Sequence, residues 1–257
     1  MNKTCYFFWK GRNFTLMEYY ALASTAKNCS FDALELYYDE HDHPRPGLFA
    51  RQRAYYWDRL DEIPGLRKIP VGEILGRYLN TYISATARQS QLLADLFRYC
   101  HLYENGGFWF DLDTFQLKDL VPLAEEHKML FAYESSENIA IGVLYFEPGS
   151  EILLEILRRT AARLQTDKRR KFGVVGPKLF TEVLTDLDMA GAALSPEYFY
   201  PVHFHRPEAA VFDTFTLPAN CYSLHLWGNF NRKHFLGKRL SDFDNVQSTY
   251  LDLVRAL

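Results

Sequence analysis

The chain has 257 residues, with Lys+Arg 29 against Asp+Glu 32 and a net charge of -3. That length fits one α/β domain, because single cores stop growing near ~250–300 residues, and 48% hydrophobic with 24% charged residues excludes a mostly disordered chain. The charge balance excludes a nucleic-acid binder that relies on a broad basic surface.

Thr4 to Trp9 is a β-branched and aromatic run closed by Lys10-Gly11, which predicts a buried strand and a turn. Phe14 to Ala26 carries Leu16, Tyr19, Tyr20 and Ala23 at helical spacing, and Leu34, Leu36 and Tyr38 alternate through a second strand. Strand, helix and strand within forty residues open a mostly parallel α/β sheet. His41 to Tyr82, broken by Pro44, Pro46, Gly47, Pro64, Gly65 and Pro70, reads as an irregular connection with helical patches. From Arg88 a helix carries Leu92, Leu93, Leu96, Phe97, Cys100 and Tyr103 on an apolar face. Asn105-Gly106-Gly107 ends it, and Phe108-Trp109-Phe110 begins a strand that finishes in Asp111-Leu112-Asp113. Strands follow at Met129–Tyr133 and Ile139–Phe146, with helices over Glu151–Arg163 and from Gly176-Pro177 to Leu187. Tyr222–Trp227 reads as a late strand and Asp242–Leu257 as a polar terminal helix. With no repeat and no low-complexity linker, residues 1–257 are expected to form a single domain.

The longest near-continuous apolar run, Ile139 to Phe146, is far short of the ~20 residues of a membrane-spanning helix. Cys5 to Trp9 before Lys10 is too short for a secretory core of ~7–15 apolar residues. Cys5, Cys29, Cys100 and Cys221 lack CxxC or metal spacing, which suits reduced, buried thiols in a cytoplasmic protein. The 20 Phe, 17 Tyr and 4 Trp are mostly core filling, although flat rings also line sugar and base pockets.

Asp111 and Asp113 stand two apart, so on a strand both carboxylates and Trp109 point to one side. Two adjacent acids repel unless a positive group lies between them, and a divalent Mg²⁺ or Mn²⁺ that also grips substrate phosphates fills that role. Extended geometry spaces the carboxylates too widely for easy chelation. One Asp is therefore expected on the metal directly and the other through water or on a ligand hydroxyl. On the preceding helix Gln91, Asp95 and Arg98 share an edge; this is either an exposed ion pair or the side that meets the ligand.

The run Leu93-Ala94-Asp95-Leu96-Phe97-Arg98-Tyr99-Cys100-His101-Leu102-Tyr103-Glu104-Asn105-Gly106-Gly107-Phe108-Trp109-Phe110-Asp111-Leu112-Asp113 resembles the signature of the DXD sugar-binding glycosyltransferases of family 32, distant relatives of glucosylating toxin domains. Phe7-Phe8-Trp9-Lys10-Gly11, Gly176-Pro177 and His225-Leu226-Trp227-Gly228-Asn229 are similar to weaker segments of that family. The resemblance implies a GT-A fold, a nucleotide-sugar-binding α/β sandwich that uses a divalent metal, usually Mn²⁺ (or Mg²⁺), and retains the anomeric configuration. It places Trp9 on the nucleotide base, Asp95 and Arg98 on the donor sugar, Asp111 on ribose and a metal-bound water, and Asp113 on the metal. It has His225 or Asn229 complete the metal and phosphate site, with Trp227 near the leaving group. Ala94 stands where a Ser is common, Trp109 takes a Tyr position, and Asn229-Phe230 replaces a Ser-Trp pair, which leaves the late ligands open.

Two His-x-His pairs, His41/His43 and His203/His205, lie beside prolines without nearby Cys and read as surface histidines. Tyr6, Trp57 and Tyr198-Phe199-Tyr200 read as core or interface packing. The basic residues Arg158, Arg159, Arg163 and Lys168-Arg169-Arg170-Lys171 read as a solvated helix end, or as a peripheral contact through 158–171 with anionic lipid at an inner membrane surface. The expected activity is transfer of a hexose from a nucleotide-sugar, UDP-linked by preference, to a glycan or lipid-linked acceptor in surface polysaccharide synthesis, with no nucleic-acid partner. The rival readings are a non-catalytic carbohydrate-binding protein on the same fold and a metal-dependent nucleotidyltransferase.

Overall fold

The computed structural model describes residues 1–44, 55–83, 90–166 and 175–257. Strands β1 (Thr4–Trp9) and β2 (Ala33–Tyr38) flank helix α1 (Leu16–Asn28); α2 (Tyr55–Asp58), β3 (Leu66–Pro70) and α3 (Gly72–Tyr78) follow. Helix α4 (Ser90–Asn105) leads into β4 (Gly107–Phe110), β5 (Thr114–Gln116), α5 (Val121–His127) and β6 (Val143–Phe146). The chain continues through α6 (Glu151–Thr166), α7 (Pro177–Asp186), α8 (Ala209–Phe212), β7 (Ser223–His225), α9 (Gly228–Asn231) and α10 (Thr249–Ala256).

Five strands form one sheet in the order β3-β2-β1-β4-β6, parallel except for the antiparallel β4–β6 pair. The sheet is buried on both faces, which is why its strands read as unbroken apolar runs. Cys5, Phe7, Trp9, Phe108 and Phe110 join the core on the α1 side, whereas Tyr6, Phe8 and Trp109 join the core on the side of α4, α6 and α7. The chain leaves β1 toward β2 and β3, then returns to pair β4 on the other flank of β1. That reversal opens a crevice at the carboxyl ends of β1 and β4, where open α/β sheets bind ligands. Trp9 ends β1, and Asp111 directly follows β4.

The turn between α4 and β4 explains the double glycine. Gly106 and Gly107 have φ of 62° and 100°, and a Cβ on Gly107 would lie 2.8 Å from the Thr4 carbonyl oxygen. Any other residue there would both strain the backbone and push β4 off β1.

Several expectations need correction. His41–Tyr82 is not merely irregular: β3 adds a parallel edge strand within it. Met129–Tyr133 forms only isolated bridges, and regular pairing over Ile139–Phe146 is confined to β6. The polar terminal helix is a short turn at Leu240–Phe243 followed by α10, capped by Ser248 and burying Tyr250, Leu251 and Val254. Leu92 leaves the buried stripe of α4 and lines the cavity described below. Cys5, Cys100 and Cys221 are buried free thiols, while Cys29 is only half-buried. His203 and His205 are exposed and His41 is exposed, but His43 is half-buried against Tyr38 and Trp57. Arg158, Arg159 and Arg163 each pair with a carboxylate, namely Glu155, Glu155 with Asp186, and Glu182. Lys168–Lys171 lies outside the described residues. Among the described residues no helix is long and apolar enough to cross a membrane.

Candidate active site

A cavity of about 860 Å³ opens over the crevice, and Trp9, Asp95, Arg98, Asp111, Asp113, His225, Trp227 and Asn229 all line it. The two acids are not on an extended strand. β4 stops at Phe110, and the chain turns at once, with the Thr114 N–H donating to the Asp111 carbonyl at 3.0 Å. The short β5–β7 sheet pairs Thr114 with His225, and the Leu226 N–H donates to the Asp113 carbonyl at 2.7 Å. These contacts bring one ligand atom each from Asp111, Asp113 and His225 within 4.8 Å of one another. The wide spacing expected for the carboxylates is therefore corrected: the turn closes the gap that a continued strand would leave.

Each side chain is held by named neighbours. Asp111 accepts from the Trp109 indole N–H at 3.0 Å and from Arg98 at 2.7 Å, and its own N–H donates to the Gly142 carbonyl at 2.7 Å. Asp113 accepts from the Gly228 N–H at 2.6 Å, and its other oxygen lies 3.3 Å from His225 Nε2. Gly228 is needed for this approach, since a Cβ there would stand 2.9 Å from the Asp113 carboxylate. Trp227, at φ 52° and ψ 55°, occupies the left-handed region that a bulky side chain rarely adopts, and its indole donates to the Val202 carbonyl at 2.8 Å. Asn229 is exposed at the rim, and no hydrogen bond ties its side chain to the acids among the described residues.

Arg98 is 3% exposed, so the exposed-pair reading of the α4 edge fails. Its guanidinium donates to the Ile141 carbonyl at 2.5 Å and to Asp111, lies 3.6 Å from Asp95, and sits over the Trp109 ring at 4.9 Å. Trp9 is buried against Phe14, with its indole donating to the Gly11 carbonyl at 2.7 Å and Arg232 over its ring at 5.3 Å. Only part of Trp9 meets the cavity. The Gln91 side chain lies outside the described residues.

Burial drives the electrostatics. It raises the Asp95 carboxyl to about 7, against the opposing charge of Arg98, and Asp111 adds to the rise. Burial also raises Asp111, against Arg98 and with the repulsion of Asp113. In Asp113 burial is outweighed by the charge and hydrogen bond of His225, the Gly228 N–H and Arg232, so its carboxyl falls well below the usual range. Burial would lower His225, but Asp113, then Asp111 and Glu134, lift it above its ordinary value. Asp111 and Asp113 thus repel each other across this span. Two carboxylates and an imidazole within this span form a donor set that suits a divalent cation.

Sequence reading missed five contributors. Arg232 reaches the cavity from the C-terminal region, fixed by Glu18 at 2.5 Å. Glu18 is fully buried and closes a capping box with Thr15 at the start of α1; that Thr-x-x-Glu pattern was the one available signal. Tyr200, expected in the core, is 2% exposed yet lines the cavity, with its hydroxyl accepting from the Val143 N–H at 3.1 Å. Glu134 and Gly142 also line it and had no signal.

Residues 59–131 match the family described as glycosyltransferase sugar-binding region containing DXD motif. The matched stretch holds Asp95, Arg98, Asp111 and Asp113. The chain is similar in structure to the PaToxG glycosyltransferase, at 15% identity and a TM-score of 0.54, covering 73% of this chain and 70% of that one. The matched region is a DXD-containing sugar-binding region of glycosyltransferases, and the fold is of the GT-A type. Mouse xyloside xylosyltransferase 1 aligns at 14% identity and a TM-score of 0.48, over 76% of this chain and 85% of that one. The glycosyltransferase GlyE of Streptococcus pneumoniae TIGR4 aligns at 15% and 0.42, over 76% and 45%. No curated protein sequence matches the chain significantly.

Proposed function

We propose that this enzyme, acting as one domain over 1–257, is a divalent-metal-dependent, retaining glycosyltransferase that moves a hexose from a UDP-sugar to a hydroxyl of a glycan or lipid-linked acceptor. The observation that carries the reading is the Asp111–Asp113–His225 cluster at the base of a cavity lined by Asp95, Arg98 and Trp9. A mixed oxygen and imidazole set suits Mn²⁺ better than Mg²⁺ or Ca²⁺, which prefer oxygen alone. When bound, the cation supplies Lewis-acid neutralisation of a departing diphosphate.

The chain's own residues account for the rest. Trp9 and the Arg232 guanidinium over its ring offer the base a flat, positively flanked edge. Asp95 accepts from donor-sugar hydroxyls, and Arg98 keeps Asp111 and the Ile141 loop in register beside that sugar. Asp111 presents its second oxygen to ribose and to the metal site, and Trp227 packs near the leaving group. His225 is the third ligand supported by the geometry; Asn229 at the rim remains open to the phosphates. The setting we propose is surface polysaccharide assembly on the cytoplasmic side. Pairing of Arg158, Arg159 and Arg163 with carboxylates leaves the membrane contact through 158–171 without support from its described part.

A thermal-shift panel of nucleotide-sugars with and without Mn²⁺, followed by NMR of the slowly hydrolysed donor, tests this. Stabilisation by UDP-sugars that requires Mn²⁺, with release of UDP and an anomer of unchanged configuration, is expected. Release of pyrophosphate from a sugar phosphate and a nucleoside triphosphate would establish the nucleotidyltransferase reading, and a response to sugar without nucleotide would establish the lectin reading.

A further inference from the structure

The cavity has a third side, apart from the Trp9 edge and the Asp95–Arg98 floor. Tyr200, His225, Trp227 and Phe204 form a continuous run of rings, with centroids 5.3, 4.5 and 6.1 Å apart in that order, and all four line the cavity. Beside them stands Glu134, at the start of a tight turn in which its N–H donates to the Asn138 carbonyl at 2.9 Å. The charge of Glu134 is felt by His225 and Tyr200, which puts it on this side. Glu134 and Asn138 both line the cavity. The Glu134 carboxylate makes no hydrogen bond or ion pair with any described residue, and it is partly buried near the His225 imidazole.

A half-buried carboxylate with unused acceptor capacity is costly unless a donor arrives from outside. The cation is not that partner, because Glu134 contributes no atom to the three-residue cluster. Nor is the donor's diphosphate, whose like charge repels it. A hydroxyl is. A pyranose brings hydroxyl donors together with an apolar C–H face, which matches a carboxylate and an amide beside aromatic rings.

We propose that Glu134, Asn138 and the ring wall from Tyr200 to Phe204 form the acceptor subsite, and that the acceptor is a saccharide. Glu134 accepts from the sugar hydroxyls, Asn138 completes the polar edge, and Phe204 takes the C–H face. This inference rests on the donor reading above, which fills the rest of the cavity with the nucleotide-sugar.

The test loads the protein with UDP and Mn²⁺ and titrates methyl glycosides of common hexoses and simple disaccharides, reading tryptophan fluorescence from the Trp227 wall. Saturable binding of at least one saccharide is expected, weakened about 10-fold or more by Glu134→Gln and by Phe204→Ala, while UDP with Mn²⁺ still stabilises both variants as it does the wild type. If UDP and Mn²⁺ stabilise the wild type but no saccharide binds, the acceptor inference is overturned and the donor reading stands. The inference is equally overturned if a serine peptide or a polyprenyl phosphate saturates the site undiminished by Glu134→Gln, or if that variant loses the response to UDP and Mn²⁺. Absence of any response to UDP and Mn²⁺ in the wild type removes the donor reading and the inference with it.

Discussion

Asp111 and Asp113 are chemically identical side chains whose surroundings shift their acidity in opposite directions. Burial raises the Asp111 carboxyl against the pull of Arg98, while His225, the Gly228 N–H and Arg232 lower that of Asp113. Asp113 is thus the more readily ionised of the two and the better suited to hold a cation. Asp113→Ala is expected to lower Mn²⁺-dependent donor turnover by at least about 10²-fold with an unchanged circular dichroism spectrum; wild-type turnover would end the assignment. Arg98 carries a heavier structural burden than its sequence suggested, because this buried guanidinium pairs with two half-buried acids and ties the Ile141 carbonyl. Removing one partner of a buried ion pair costs about 3–5 kcal/mol. Arg98→Ala should therefore show a loss of that order in urea unfolding, with binding of UDP-hexose hurt more than that of UDP. A loss below about 1 kcal/mol would mean the guanidinium is not the anchor described here.

The site is built where a helix, two sheets and a turn meet, and their legibility in the sequence differed. Helix α4, the Gly-Gly stop and β4 were readable because each rests on local chemistry: 3.6-residue apolar spacing, left-handed φ at the glycines and an aromatic strand. Edge strand β3 was hidden because Leu66-Arg67-Lys68-Ile69-Pro70 has the polar, proline-closed composition with which edges avoid pairing further. The β5–β7 pairing was hidden for another reason. It joins three-residue strands more than a hundred positions apart, so no local pattern records it, although it is what sets His225 beside Asp113. Arg232, Glu134 and Tyr200 were missed on the same grounds: their places depend on long-range packing. Gly228 shows how tight the junction is. Gly228→Ala is expected to push the Asp113 carboxylate aside, lowering Mn²⁺ affinity about 10- to 100-fold with only a small change in melting temperature. Unaltered Mn²⁺ affinity in calorimetry would show that the close Gly228–Asp113 approach, 2.6 Å from N to carboxylate, is not needed.

The sheet as a whole reverses strand order at β1, and that reversal carries both the cavity and a stability signature. On the α4 side His101 stacks on Phe97 at 4.9 Å and meets Tyr6 edge-on at 4.4 Å. Burial, reinforced by Arg77 and opposed by Glu104, pushes its imidazole down from 6.5 to about 3. The unfolded chain therefore takes up a proton below about pH 6.5 that the folded chain refuses until about pH 3. Stability must fall as pH drops through that window, by up to about 1.4 kcal/mol per pH unit, and this residue adds no slope above it. His101→Phe should flatten the acid limb of a stability–pH curve; an unchanged slope would contradict the assigned neutral state.

The proposed function puts the nucleotide at the crevice opened by the strand reversal, and a cation held by Asp111, Asp113 and His225 would make that crevice a transferase site. Calorimetric titration of UDP into the protein, with Mn²⁺ and again with the metal chelated, addresses this most directly. One UDP per chain should bind at least about 10-fold more weakly without Mn²⁺, and Asp113→Ala should bind weakly in both conditions. Equal UDP affinity with and without Mn²⁺ in the wild type would contradict the account.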